Sequence, residues 1–135
     1  MKKLNTIEEY IFGYLLAVGL INTGIGALLI IAVYTKDTSS HHYYPYLILG
    51  SIIAGIGITK FLLSIAFYKN PKSLPITLTA FIIVLLETLA LASAGAKPYY
   101  PYLQFFNIGF VIAALIHIAY LIYTKSRKTT ILINF

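Results

Sequence analysis

The sequence predicts an all-α membrane protein: four transmembrane helices, arranged as two parallel helix-hairpin repeats in a bundle. Three observations predict it. Charged residues make up 10% of the chain and hydrophobic residues 59%, against about 25% charge in an ordinary soluble domain. Long runs without charge recur along the chain, the first from Tyr10 to Tyr34. Finally, Tyr43-Tyr44-Pro45-Tyr46-Leu47 returns as Tyr99-Tyr100-Pro101-Tyr102-Leu103, an offset of 99 − 43 = 56 residues. Each copy precedes a long apolar stretch, and Lys69 at the end of the first stretch falls on Lys125 at the end of the second.

The first helix is predicted from about Ile7 to Tyr34. A bilayer core of about 30 Å needs roughly 20 apolar residues, and this run exceeds that. Its start carries two candidate capping boxes, Thr6-x-x-Glu9 and Asn5 with Glu8; such a pair closes orphan N–H groups at a helix N-terminus. The two glutamates also suit the positive end of the helix dipole. A cleaved signal peptide is not expected, because the run is too long and no small-residue cleavage site closes a short apolar region. The second helix is predicted from about Tyr46 to Tyr68, the third from about Leu74 to Ala96 and the fourth from about Pro101 to Lys125. Pro45, Pro75 and Pro101 sit near helix starts, where the missing N–H costs nothing. The chain reads as one integral membrane domain over 1–135. The first repeat covers about 7–69, the second about 74–125, and a tail follows over 126–135. Two spans per repeat give both copies the same orientation, related by an axis along the membrane normal.

The net charge of +6 is unevenly placed. Lys2, Lys3, Lys69, Lys72, Lys125, Arg127 and Lys128 flank one side of the spans, and only Lys36 and Lys97 flank the other. This bias predicts a cell-membrane protein with both termini and the Asn70–Ser73 turn in the cytoplasm. Attraction to anionic lipid headgroups follows from it. Nucleic acid is not an expected partner, since the charges are split between three short segments. Tyr43, Tyr44, Tyr46, Tyr99, Tyr100 and Tyr102 mark the opposite interface, where an apolar ring with a wet hydroxyl is favoured. An aromatic docking surface for a partner or a quinone-like ligand is the alternative reading.

Small residues offer packing seams. The second helix has Gly50, Ala54 and Gly57. The first has Gly13, Ala17 and Gly24, and also Gly19, Thr23 and Gly26. The third has Ala80, Ala90 and Ala94. Among these lie a few polar groups. Lys60 stands roughly 12 Å and Glu87 roughly 20 Å from the cytoplasmic ends of their helices, at about 1.5 Å per residue. Their side chains lean toward each other, which suggests a buried ion pair that fixes helix register. Glu87 as a proton or cation carrier is the second reading, and pairing with another subunit the third. His117 is the one histidine within a span, and shares a face with Asn107 and Ala114. A hydrogen-bonded packing role is expected of it, with haem ligation as the alternative.

The chain has no cysteine, which excludes disulfides, thiolate metal sites and thiol nucleophiles. No phosphate-binding loop, nucleophile elbow or zinc-hydrolase motif is present, and no cofactor is expected. His41-His42 are adjacent in a loop and lack the i, i+4 geometry of a helical chelating pair. A catalytic role is therefore not expected. The sequence points to a small non-catalytic accessory or structural subunit of a larger membrane complex, such as a respiratory or other energy-transducing assembly, with other integral membrane subunits as partners. The apolar residues of the 129–135 tail, beyond the last basic cluster, would dock on such a partner. The rival expectation is a small proton- or cation-coupled transporter or channel using Glu87 and Lys60.

Overall fold

The structure is a computed structural model that describes residues 4–35, 44–93 and 101–134; side chains are described for 4–34, 46–90, 92–93 and 104–126. Four helices run through these residues: α1 Thr6–Thr35, α2 Tyr44–Lys69, α3 Leu74–Ser93 and α4 Pro101–Asn134. The chain is therefore all-α, as expected. Three of the helices are long and apolar enough to cross a membrane, over Thr6–Tyr34, Tyr46–Lys69 and Gln104–Ser126, while α3 contributes a shorter apolar stretch, Leu74–Ala90. By length and composition this is a multi-pass membrane protein.

Local chemistry sets the helix ends. Asn5 caps α1: its Oδ1 accepts from the Glu8 N–H at 2.8 Å, and Glu8 Oε1 accepts from the Asn5 N–H at 3.0 Å. Of the two candidate boxes, Asn5/Glu8 is the one formed, because Thr6 is already the first helical residue. Ser73 caps α3, its hydroxyl accepting from the Ile76 N–H at 3.4 Å. Pro45, Pro75 and Pro101 each stand in the first turn of their helix, where no intrahelical N–H bond is lost. One boundary differs from expectation. α4 does not stop at Lys125 but continues to Asn134, since the residues from Ser126 to Asn134 contain neither proline nor glycine to end it.

The chain divides into two compact units whose boundaries cut through α1 and α2 rather than falling between helix pairs. One comprises residues 14–65, and the other residues 1–13 with 66–135. The first unit is an α1/α2 pair in close backbone contact. A Cβ placed on Gly26 would stand 2.5 Å from both the Ala54 nitrogen and the Gly50 oxygen, and one on Gly19 would stand 2.8 Å from the Phe61 nitrogen. A Cβ on Gly57 would collide with the Thr23 nitrogen and lie 2.7 Å from the Gly19 oxygen. So Gly19, Thr23 and Gly26 face Gly50, Ala54 and Gly57. Of the two α1 triplets offered by the sequence, this is the one that packs; Gly13 and Gly24 meet nothing within 4 Å.

In the second unit, α3 packs along α4. Thr77, Ala80 and Val84 form the buried stripe of α3, and Asn107, Phe110, Ala114, His117 and Leu121 that of α4. Ala80 belongs to this seam as expected, but Ala90 is exposed and Ala94 lies outside the described residues. Outward faces of all four helices carry large apolar side chains such as Leu28, Ile48, Leu86 and Phe105, the surface that a bilayer requires.

Candidate functional site: a half-buried ion pair at the α2–α3 turn

The most concentrated polar chemistry lies in the second unit, where the start of α1, the α2–α3 turn and the later turns of α4 meet. Glu8 is 2% exposed. Its Oε1 is held by the Asn5 cap, and its Oε2 lies 3.0 Å from Lys72 Nζ and 4.0 Å from His117 Nε2. Lys72 extends from the turn between α2 and α3, half its side chain in the open, and stands over the Tyr120 ring at 5.1 Å from the centroid. One carboxylate thus closes a helix start, pairs with a lysine on the next turn and approaches a buried imidazole.

His117 is fixed on every side that the structure describes. Its Nε2 stands 2.7 Å from the Pro71 carbonyl oxygen. A carbonyl only accepts, so Nε2 carries the proton. Phe67 meets the imidazole edge-on at 5.7 Å and Tyr120 stacks on it at 6.5 Å between ring centres. This bond ties α4 to the α2–α3 turn and leaves Nδ1 as the ring nitrogen that bears the lone pair.

Further along α3 and α4, Asn107 Nδ2 donates to Glu87 Oε1 at 2.9 Å, and Gln104 Nε2 donates to the Thr88 carbonyl at 3.3 Å. Nearby, the Tyr10 hydroxyl reaches the Phe106 carbonyl at 3.4 Å, and lies where a Cβ on Gly109 would be. In the other unit, Lys60 is fully buried; its Nζ donates to the Tyr14 hydroxyl at 3.0 Å and stands 5.0 Å from that ring's centre. Ser64 and Asn22 are buried there as well.

The residues singled out in the sequence therefore distribute as follows. His117 and Asn107 lie on one buried face of α4, and Asn107 is joined to Glu87. Lys60 belongs to one unit and Glu87 to the other. Tyr46 is exposed. Tyr44 and Tyr102 lie in helices with their backbones alone described, and Tyr43, Tyr99 and Tyr100 lie outside the described residues together with Lys2, Lys3, Lys36, Asp37, His41, His42 and Lys97. Sequence reasoning missed the Glu8–Lys72 pair, having taken Glu8 as a capping charge alone. It also missed Tyr14 as the partner of Lys60. Among the described residues no group of three or more acidic, histidine or cysteine side chains is placed to hold a metal ion.

Compared with known protein families, curated proteins and solved structures, the chain matches no family, no curated sequence and no solved structure at a significant level.

Proposed function

We propose that the protein is a small, non-catalytic, multi-pass subunit that scaffolds a larger membrane complex, in the class of respiratory or other energy-transducing assemblies. The observation that carries this reading is how the ionisable groups inside the helices are used. Glu8, Lys60, Glu87 and His117 each engage a neighbouring helix or turn: Lys72, Tyr14, Asn107 and the Pro71 carbonyl respectively. Charges in a membrane are costly and usually face protein or water; here their bonds tie one element to the next, which is what a scaffold needs. In this reading α3 is a fourth span. Its 20 residues, at about 1.5 Å each, reach about 30 Å. The basic ends are cytoplasmic, and the helical segment beyond Lys125 docks on a partner.

Purification from native membranes under mild detergent, followed by mass spectrometry, tests the proposal. A fixed stoichiometry with larger integral membrane proteins is expected. A second reading is favoured by the half-buried Glu87 and its Asn107 partner: a small proton- or cation-coupled transporter that uses Glu87 and Lys60. The purified chain alone in liposomes would then support flux, and Glu87→Gln would abolish it. That outcome would overturn the scaffold.

A further inference from the structure

At the end of the second unit a cavity of about 410 Å³ opens between the α2–α3 turn, the start of α3 and the last apolar turns of α4. It is lined by Lys72, Leu74, Tyr120, Leu121, Thr124 and Lys125. Two ammonium-bearing side chains, two hydroxyl-bearing ones and two leucines thus line it. Lys72 is oriented from beneath: the buried Glu8 carboxylate holds Nζ at 3.0 Å and the Tyr120 ring stands under it. Because Glu8 is sealed at 3% exposure, an incoming anion meets the lysine and not the carboxylate. Lys125 is the first charged residue after Lys97 and closes the apolar run of α4, which puts the cavity where a span would meet the headgroup layer. Long basic side chains reach that layer readily from a helix end.

We propose that this groove is a binding site for one anionic phospholipid. Its phosphate lies between Lys72 and Lys125, and one acyl chain follows Leu74 and Leu121 down the helices. Three features select a lipid over a soluble anion. The lining is partly apolar, Lys125 stands at the end of the apolar run of α4, and the basic residues of the sequence cluster mostly at that end. A lysine near a charged membrane surface is worth roughly fivefold in affinity for an anionic lipid; with the Lys72 charge offset by Glu8, the site supplies on the order of fivefold selectivity over a zwitterionic one.

The test is native mass spectrometry of the full chain, released from vesicles of phosphatidylglycerol and phosphatidylcholine in equal amounts. Wild type is expected to retain one phosphatidylglycerol. The double variant Lys72→Gln/Lys125→Gln is expected to lose that preference by on the order of fivefold. Lys69→Gln, which removes an exposed lysine outside the groove, is expected to keep it. Lys72→Gln also breaks the Glu8 pair, so a third variant separates folding from binding. Thr124→Trp fills the groove without changing charge and is expected to expel the lipid too. Equal retention of both lipids overturns the proposal, as does loss in Lys69→Gln matching that of the double variant, or retention in Thr124→Trp. Displacement of the lipid by millimolar inorganic phosphate assigns the site to a soluble anion and overturns it as well.

Discussion

Glu8 performs two separable tasks, and two substitutions separate them. Its Oε1 completes the cap with Asn5, while Oε2 faces Lys72. Glutamine can still serve as the third residue of a capping box, so Glu8→Gln removes the ion pair and keeps the cap. Hydrogen bonds to charged groups contribute about 1.5–3 kcal/mol, and with Lys72 half in solvent the lower end is expected. Glu8→Ala loses the cap as well, at about 1 kcal/mol more. Thermal unfolding in detergent should therefore rank wild type, Glu8→Gln and Glu8→Ala in that order; equal melting of the two variants would show that the cap contributes nothing. The signal for burial of Glu8 was in the sequence. Glu8, Ile11, Leu15, Asn22 and Gly26 follow one helical face and are all buried, whereas Glu9 falls off it and is exposed. What periodicity could not supply is Lys72, which sits in a turn and has no helical phase. Tyr14 as the partner of Lys60 was hidden for a related reason: tyrosine in a membrane helix suggests an interface, and only the approach of α1 to α2 shows its hydroxyl inside.

At the scale of helices, the α1/α2 seam makes a sharper prediction than composition does. Gly26 and Gly57 have backbone or side-chain atoms of the opposite helix where a methyl group would go, while Gly24 and Gly55 meet nothing within 4 Å. Overpacking typically costs about 1–3 kcal/mol, whereas an exposed mid-helix glycine replaced by alanine gains up to about 1 kcal/mol in propensity. Gly26→Ala and Gly57→Ala should lower the melting temperature, and Gly24→Ala and Gly55→Ala should hold or raise it. A uniform response from all four would refute the seam. The small-residue spacing made both α1 triplets legible, but choosing between them needs the partner's backbone. The same limit applies to the doubled pentapeptide. It repeats at 56, yet the buried stripes correspond at 107 − 50 = 114 − 57 = 117 − 60 = 57. One residue is about 100° around a helix, so the sequence repeat and the buried stripes are out of step by that angle. At the offset of the stripes Lys60 and His117 occupy corresponding positions, and both bond to oxygens within their own unit. The repeated peptide therefore reports where helices begin, and the buried stripe reports what they hold.

For the molecule as a whole, the open question is parity: three spans put the chain's two ends on opposite sides of the membrane, and four put them on the same side. α3 is the element that decides: its 20 residues reach about 30 Å at about 1.5 Å per residue, the thickness of a bilayer core with nothing to spare. Short spans are accommodated by local thinning or by flanking side chains that reach outward, at modest cost per ångström. The proposed scaffold has α3 crossing. In the second unit the start of α1, the α2–α3 turn and the later turns of α4 come together through Glu8, Lys72, Pro71 and His117, which requires α3 to leave that end and α4 to return to it. The absence of cysteine makes the experiment clean, since a single introduced thiol reports its own side. With Lys3→Cys, Asn70→Cys, Lys128→Cys, Asp37→Cys and Lys97→Cys, an impermeant maleimide applied to intact cells should label only the last two. If α3 fails to cross, Lys97→Cys instead shares the protection of Asn70→Cys, and Lys128→Cys becomes accessible from outside. In that outcome the basic residues after α4 would lie on the side opposite the α2–α3 turn. The charge bias would then no longer account for orientation, and the end of the molecule carrying the basic groove would need a different place in the membrane.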